Sequence, residues 1–196
     1  MALEIGNNTF YPGWTIKKVI GKGTFGIVYE AERKIGQSSV EKAALKVISV
    51  PWNDSEISEY MSEGYTIDHI KSRYVNVKDD ILHEYAMLAE LSGCNNVVHV
   101  NNFSCVKHED DIGWDIIIQM ELLQPITRIA LEEFDEKEVL KLAKDITSAL
   151  VFCERKKVLH RDIKPQNIMV SEDGTYKLGD FGQAKTIEAT MLGTRT

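Results

Sequence analysis

The chain has 196 residues, of which 43% are hydrophobic, and this is enough apolar content to bury a core in one domain or two small lobes. Its formal net charge of -7 argues against a nucleic-acid-binding surface as the main function. No apolar run approaches membrane-spanning length and the first residues lack the pattern of a signal peptide, so we expect a cytoplasmic protein without a membrane or nucleic-acid partner.

The first motif is rich in glycine. Residues 21–26 read Gly-Lys-Gly-Thr-Phe-Gly and lie between two strand-like segments, residues 14–20 and 27–31. Glycines let a backbone approach phosphates without a Cβ in the way, although the same pattern also occurs in tight turns and dinucleotide sites. A dinucleotide fold needs a helix directly after the glycines. Because Ile27, Val28 and Tyr29 favour a strand, the dinucleotide interpretation fails.

The next feature is a single cation in an apolar run. Lys46 lies within residues 43–48 and would be costly to bury unless an anion met it; the alternative is a surface lysine on an edge strand. Further on, apolar residues recur at helical steps and predict one face of a long amphipathic helix: Ile67, Ile70, Tyr74, Val77, Ile81, Tyr85, Leu88 and Leu91. Glu84 either shares this face or merely borders it. An acid there is costly unless it is paired, so we predict an ion pair between Lys46 and Glu84.

Residues 51–80 separate the Lys46 strand from the body of this helix and predict a helical insertion. Asp54 and Ser55 are expected to cap a short helix that ends near Gly64, and Thr66 to cap the long helix. The insertion is either an extended helix packed on its own lobe or a docking surface that tunes the position of Glu84.

Two further elements lead to the second group of motifs. Residues 114–123 read as an apolar core strand, and Met120, Glu121 and Leu123 lie at its end. Asp135, followed by Glu138, resembles a capping box at the start of a helix. The helical stripe that follows is Val139, Leu142, Ile146, Ala149, Leu150 and Cys153.

After this helix, residues 160–167 read His-Arg-Asp-Ile-Lys-Pro-Gln-Asn, and residues 180–182 read Asp-Phe-Gly. Residues 167–170 and 176–179 predict a hairpin between the two motifs. Together the two motifs contain a carboxylate that can act as a base and two groups that can bind a metal, at the spacing that phosphoryl transfer needs.

From about residue 11 to residue 196, this order of motifs resembles the catalytic domain of protein kinases. The resemblance implies that Asp162 accepts the proton of the attacking hydroxyl and that Lys164 neutralises charge on the transferred phosphate. It also implies that Asn167 and Asp180 hold Mg²⁺. Lys46 would clamp the α- and β-phosphates of ATP, oriented by Glu84. The residues implied to bind the nucleotide are Ile20, Gly21, Lys22, Gly23, Gly26, Val28, Ala44, Lys46, Met120, Glu121, Leu123 and Met169.

The resemblance implies an α+β, bilobal kinase-like fold. A β-rich N-lobe with one long helix would cover residues 1–123, including the insertion, and residues 124–196 would form the first part of a mainly helical C-lobe. Lys164, two residues after Asp162, is typical of Ser/Thr kinases. We therefore expect transfer of the ATP γ-phosphate to a serine or threonine of a protein substrate. A similar insertion in some bacterial Ser/Thr kinases makes a bacterial origin an expectation too.

The chain ends at Thr196, inside what would be the activation segment, and no Ala-Pro-Glu follows. We therefore expect a truncated catalytic domain whose incomplete C-lobe exposes apolar surface and self-associates. Thr190 matches the usual phosphoacceptor position, or is an ordinary solvated loop threonine. A non-catalytic ATP-binding or scaffolding fragment is the alternative function. Small-molecule phosphotransferases of kinase-like fold rarely carry both complete motifs.

Overall fold

The computed structural model describes residues 11, 13–23, 26–53, 55–91, 93–108, 112–129, 134–182 and 184–186, with the side chains of residues 84, 87, 90 and 186 outside the description. These residues form two compact units. The first takes its residues from Met1–Tyr85 and Val100–Leu122, and the second from Ala86–His99 and Leu123–Thr196. The chain therefore leaves the first unit within a helix, returns to it at residue 100 and leaves it again after residue 122.

The first unit contains a five-stranded antiparallel sheet in the order β1-β2-β3-β5-β4. The strands are β1 (Thr15–Gly23), β2 (Gly26–Ile35), β3 (Ser39–Val50), β4 (Val100–Lys107) and β5 (Trp114–Met120). β5 pairs with β3 on one side and β4 on the other, and every residue from Asp115 to Gln119 is buried. This explains why the apolar residues Ile116, Ile117 and Ile118 follow one another without alternation.

One core cluster holds the first three strands and β5 together. Its members are Trp14, Ile16, Tyr29, Ala31, Ala43, Leu45, Val47 and Ile117. Arg33 covers the outer side of this cluster, because its guanidinium lies 4.9 Å from the centroid of the Trp14 ring. Arg33 Nη2 also donates a 2.6 Å hydrogen bond to Glu41 Oε2, which fixes the guanidinium over the indole.

The insertion forms a short helix, α1 (Ser55–Ser62), followed by the long helix α2 (Ile67–Leu91). The predicted cap at Ser55 is wrong: Asn53 Oδ1 accepts hydrogen bonds from the backbone N–H groups of Ser55 at 3.1 Å and Glu56 at 3.0 Å. Asp54, the other predicted cap, lies outside the described residues. Asn53 satisfies two of the N–H groups that a helix leaves unpaired at its start.

α1 ends where the sequence places a glycine. Gly64 has φ +90°, and the N–H groups of Gly64 and Tyr65 donate to the carbonyls of Met61 and Tyr60 at 3.1 Å. This is a Schellman motif, in which the residue after the glycine commonly contacts the residue five positions before it. The Tyr60 and Tyr65 rings do so edge to face, with centroids 5.7 Å apart.

α2 follows the predicted stripe, since Ile70, Tyr74, Tyr85, Leu88 and Leu91 are buried. Val77 and Ile81 are half-buried, and Ile67, at the start of the stripe, is exposed. The hydroxyl of Thr66 accepts a 3.4 Å hydrogen bond from His69 N, as a helix cap does. The expected long amphipathic helix is therefore confirmed.

The second unit is built on α3 (Glu136–Arg155) and short strands. Asp135 caps α3, since its Oδ1 accepts a 2.8 Å hydrogen bond from Glu138 N. The strands are β6 (Gln124–Pro125), β7 (Val158–Leu159), β8 (Ile168–Val170), β9 (Tyr176–Leu178) and β10 (Lys185–Thr186). They form a three-stranded sheet, β6-β8-β9, and a pair, β10-β7. β8 and β9 form the predicted hairpin.

The content of helices and strands confirms the expected α+β class, because a five-stranded sheet and the long helix α2 are accompanied by α3 and short strands. In the part of the chain that the structure describes, no helix has both the length and the apolar character needed to cross a membrane.

Candidate active site

The glycine-rich motif lies at the β1–β2 hairpin. Gly23 pairs with Gly26 in the antiparallel ladder, and residues 24 and 25 lie outside the described residues. Gly26 has φ +140°, and a Cβ added there would lie 2.2 Å from the carbonyl oxygen of Val47. Only glycine fits this position, because both the backbone torsion and the close approach of β3 exclude a side chain. A strand follows the glycines, as the sequence predicts, so the dinucleotide arrangement is absent from the described residues.

The other predicted nucleotide-binding residues of the first unit lie on neighbouring strands. Val28 pairs with Gly21 on β1 and with Lys46 on β3. Ala44 pairs with Met120 at the end of β5. Ile20 and Lys22 are on β1, Ile20 half-buried and Lys22 exposed. Glu121 is half-buried directly after β5, and Leu123, also half-buried, already belongs to the second unit.

Lys46 is half-buried on β3, opposite Ile118 of β5. Its Nζ lies 5.9 Å from the centroid of the Tyr85 ring, within the range of a cation–π contact. The sequence interpretation treated Tyr85 only as a member of the apolar stripe, so it missed this contact. Glu84 is the preceding residue of α2, but its side chain lies outside the described residues, and the Lys46–Glu84 ion pair therefore stays a prediction.

In the second unit, β7 leads into a loop that begins at His160, which is buried. His160 Nε2 lies 3.0 Å from the carbonyl oxygen of Gly179, and Nδ1 accepts a 3.3 Å hydrogen bond from Asp162 N. Because Gly179 O needs a donor and Asp162 N needs an acceptor, the ring carries its proton on Nε2. Burial lowers the pKa of His160, which favours this neutral form.

Asp162 accepts two side-chain hydrogen bonds. Lys164 Nζ lies 2.6 Å from Asp162 Oδ2, and Asn167 Nδ2 lies 2.9 Å from the same oxygen. The hydrogen bond from Lys164, supported by the one from Asn167, lowers the pKa of Asp162. The carboxylate is therefore ionised at neutral pH, and its orientation is set by two residues of its own loop.

Asn167 is buried at the end of a 3-10 turn, Pro165–Asn167. Its Nδ2 donates to the Asp162 carbonyl at 2.8 Å as well as to the Asp162 carboxylate. Because these two bonds use both hydrogens of the amide nitrogen, Oδ1 is the atom of the Asn167 side chain suited to a cation.

Asp180 follows the hairpin that starts beside Asn167. Gly179 N donates a 2.8 Å hydrogen bond to Asn167 O, which ties the two segments together. Asp180 is exposed and has φ +51°, in the left-handed region that non-glycine residues rarely adopt. Met169 is half-buried on β8, opposite Lys177.

The donors fit a magnesium ion rather than an all-protein metal cage. Among the described residues, no group of three or more His, Cys, Asp or Glu side chains is arranged to hold a metal. Mg²⁺ is usually bound through one or two carboxylates, with substrate phosphates and waters as the other ligands. The Asp180 carboxylate and the Asn167 amide oxygen belong to that class of ligand.

A comparison with known protein families matches the protein kinase domain over residues 14–195. The chain belongs to the protein kinase domain family. The resemblance drawn from its motifs is therefore confirmed, and the family generally uses ATP and Mg²⁺. Thr190 of this kinase-family chain lies outside the described residues.

Several curated proteins are similar to this kinase-family chain. Aurora/IPL1-related protein kinase 2 of Caenorhabditis elegans is 28% identical over 91% of the chain and 52% of its own length. Sporulation-specific protein 1 of Saccharomyces cerevisiae is 27% identical over 91% of the chain and 31% of its own length. Aurora kinase B of Mus musculus is 27% identical over 92% of the chain and 45% of its own length. The chain thus spans about half or less of the length of these relatives, and its expected bacterial origin stays a prediction.

Proposed function

We propose that this chain is the catalytic region of a Ser/Thr protein kinase, which transfers the γ-phosphate of ATP to a serine or threonine hydroxyl of a protein. One observation carries the proposal: the Asp162 carboxylate is held by Lys164 at 2.6 Å and by Asn167 at 2.9 Å. This arrangement supplies an ionised acceptor, a cation and an amide in one loop.

Asp162 would orient the acceptor hydroxyl and take its proton as the oxygen attacks phosphorus. Its lowered pKa makes it a weak base, so it suits a reaction in which the proton leaves late and positioning matters most. Lys164 would offset the negative charge of the transferred phosphate. Its placement two residues after Asp162 favours serine or threonine over tyrosine as the acceptor, on the family resemblance.

The phosphates of ATP would meet the β1–β2 glycine turn and Lys46, with Glu84 as the partner of Lys46. The role of this turn rests on the family resemblance, since backbone without a Cβ is what a phosphate cradle needs. On the family resemblance, the residues assigned to the adenine are Val28, Ala44 and Met120 with the backbone of Glu121 in the first unit, and Met169 with the backbone of Leu123 in the second. Ile20, Gly21, Lys22 and Gly23 would complete the nucleotide-binding set.

Asn167 and Asp180 would bind Mg²⁺, which when bound neutralises charge on the phosphate oxygens. Asn167 has a second task, because its Nδ2 orients Asp162. One side chain would thus connect metal binding with placement of the base.

We also propose the domain division drawn from the sequence, with residues 1–123 acting as the N-lobe and residues 124–196 as the beginning of the C-lobe. A cytoplasmic location and self-association through exposed apolar surface belong to the same proposal. Leu140 on α3 is 64% exposed and Ile163 is 51% exposed, which supports the self-association.

The test is phosphotransfer from [γ-³²P]ATP to peptides whose acceptor is serine, threonine or tyrosine. Asp162→Asn should reduce the rate on the order of a hundredfold, because the amide cannot take the proton, while Mg·ATP binding by calorimetry persists. Lys46→Ala should weaken that binding. Glu172→Gln, which changes an exposed carboxylate in the β8–β9 turn, is the matched control.

Undiminished phosphotransfer by Asp162→Asn would contradict the assignment of Asp162 as a catalytic residue. Binding of Mg·ATP by the wild-type protein without any transfer would favour the non-catalytic, scaffolding alternative. Transfer to tyrosine alone would contradict the acceptor class.

A further inference from the structure

Three polar residues of α3 face the start of β9. Glu138, Lys141 and Asp145 are spaced three and four residues apart, so they share one face of the helix. Each has a partner in the β8–β9 hairpin. Polar side chains of α3, in addition to apolar packing, therefore hold the strand that leads to Asp180.

Asp145 makes the most specific of these contacts. Its Oδ2 accepts a 3.0 Å hydrogen bond from the backbone N–H of Tyr176, the first residue of β9. The Asp145 side chain is only 16% exposed, so its charge is costly unless it is compensated. Lys141 Nζ lies 3.5 Å from the same oxygen and provides the opposite charge.

The remaining groups of Tyr176 are also held. Asn96 Nδ2 donates a 3.0 Å hydrogen bond to its carbonyl oxygen, and its hydroxyl donates to Glu138 Oε2 at 2.8 Å. Lys141 Nζ lies 4.8 Å from the ring centroid and also donates to the carbonyl of Gly174 in the hairpin turn. Burial and Glu138 raise the pKa of the Tyr176 hydroxyl to about 12, which keeps it a donor.

The other end of β9 is tied to the loop that contains the candidate catalytic residues. Leu178 N donates a 2.8 Å hydrogen bond to Asn96 O, and Gly179 N donates to Asn167 O at the same distance. Gly179 O is the partner of His160. Asp180 lies two residues after the end of β9 and four residues after Tyr176. A shift of Tyr176 along the strand would therefore move Asp180 relative to Asn167.

We propose that Asp145 is a positioning residue for magnesium binding: it holds the start of β9 so that the Asp180 carboxylate and the Asn167 amide oxygen converge on one ion. This inference rests on the proposed function. Loss of a contact made directly to a metal ligand commonly weakens metal affinity by about ten- to a hundredfold, and because Asp145 acts one step further away, we expect the lower end of that range.

The test measures metal binding and not activity. Mn²⁺, a paramagnetic substitute for Mg²⁺, is titrated by electron paramagnetic resonance in the presence of a non-hydrolysable ATP analogue. Asp145→Ala should raise the dissociation constant of Mn²⁺ about tenfold. Asp145→Asn should raise the dissociation constant less, since the amide oxygen can still accept a hydrogen bond from Tyr176 N. This variant replaces Asp145→Ala in the test if Asp145→Ala does not fold.

Asp135→Ala is the matched control. It removes a hydrogen bond to the backbone N–H of Glu138 in the first turn of the same helix and keeps the Glu138 side chain, so it should lower the unfolding midpoint without changing Mn²⁺ affinity. Hydrogen exchange of the Tyr176 and Gly179 amides should be faster in Asp145→Ala than in Asp135→Ala. Equal weakening of Mn²⁺ binding in both variants would reduce Asp145 to a general stabilising residue and overturn the inference.

The wild-type protein and Asp180→Asn separate this inference from the proposed function. If Asp180→Asn abolishes Mn²⁺ binding and Asp145→Ala leaves it unchanged, the inference is wrong and the proposed function stands. If the wild-type protein binds no Mn²⁺ with the nucleotide, the proposed function is overturned and the positioning role with it.

Discussion

The imidazole of His160 and the carbonyl of Gly179 are joined by a hydrogen bond, with 3.0 Å between Nε2 and O. The same ring packs edge to face on Phe181, with centroids 4.5 Å apart. A buried, neutral histidine therefore links the loop that carries Asp162 to the segment that carries Asp180. Its protonation would place a charge in this buried contact, which the Asp162 and Asp180 carboxylates offset only in part, and would take Nδ1 away from Asp162 N.

This link predicts a pH dependence of stability. Burial lowers the pKa of His160 in the folded state, so the unfolded chain binds the proton first as the pH falls. The contribution of neutral His160 to the free energy of unfolding is fully present above the unfolded pKa of about 6.5. It is lost as the pH falls toward and through the lowered pKa of the folded state. Denaturant unfolding from pH 7.5 to 5 should show a smaller loss of stability in His160→Gln than in the wild type. His69→Gln, at an exposed position, should keep the wild-type slope; a wild-type slope in His160→Gln would contradict the prediction.

A second prediction concerns the ionisation of Asp162. Lys164→Met removes the hydrogen bond that contributes most to the lowered pKa of Asp162, so that pKa should rise. Asn167 still donates to the carboxylate and lowers its pKa, while desolvation raises it, so the prediction is the upward direction of the change. Carboxyl ¹³C chemical shifts followed through an acid titration measure this directly. Lys177→Met, on β9, should leave the titration of Asp162 unaltered; an unchanged Asp162 pKa in Lys164→Met would show that the 2.6 Å contact is absent in solution.

The third prediction is a stability difference between two glycines of the same hairpin. Gly26→Ala would bring a Cβ within 2.2 Å of Val47 O at φ +140°, and it should cost about 3 kcal/mol of unfolding free energy. Gly23→Ala is the control, since no atom lies within 4 Å of an added Cβ, and it should cost about 0.5 kcal/mol or less. Equal costs in urea unfolding would mean that β2 does not approach β3 as described.

A fourth prediction is that α1 can unfold while the rest of its unit stays folded. Asn53→Ala removes the acceptor for two backbone N–H groups and should destabilise α1 by about 1 kcal/mol. Because no residue of α1 is buried, the helix should fray by itself. Amide exchange should accelerate in α1 while the core strands keep their protection. Ser58→Ala, in the middle of α1, should not accelerate exchange; a global loss of protection in Asn53→Ala would show that α1 supports the core.

Some of the fold could be predicted because the signal is local. The apolar stripe predicted α2, and Gly64 marked the end of α1 through the torsion that it alone adopts readily. The cap of α1 was misassigned to Ser55, because Asn53, Asp54 and Ser55 are all good caps and their order does not decide among them. Which of them caps depends on where the chain turns after Pro51.

The sequence by itself determined the family and the types of group available to the site. The two motifs around Asp162 and Asp180, with the glycine turn, need only residue identity and spacing to be recognised. Only the tertiary structure decided which atoms meet. The contacts between Asp145 and Tyr176, and between Lys46 and Tyr85, join residues 31 and 39 positions apart. Such pairs are set by how helices and strands pack, and their polar groups leave no periodic pattern along the chain from which the partner could be read.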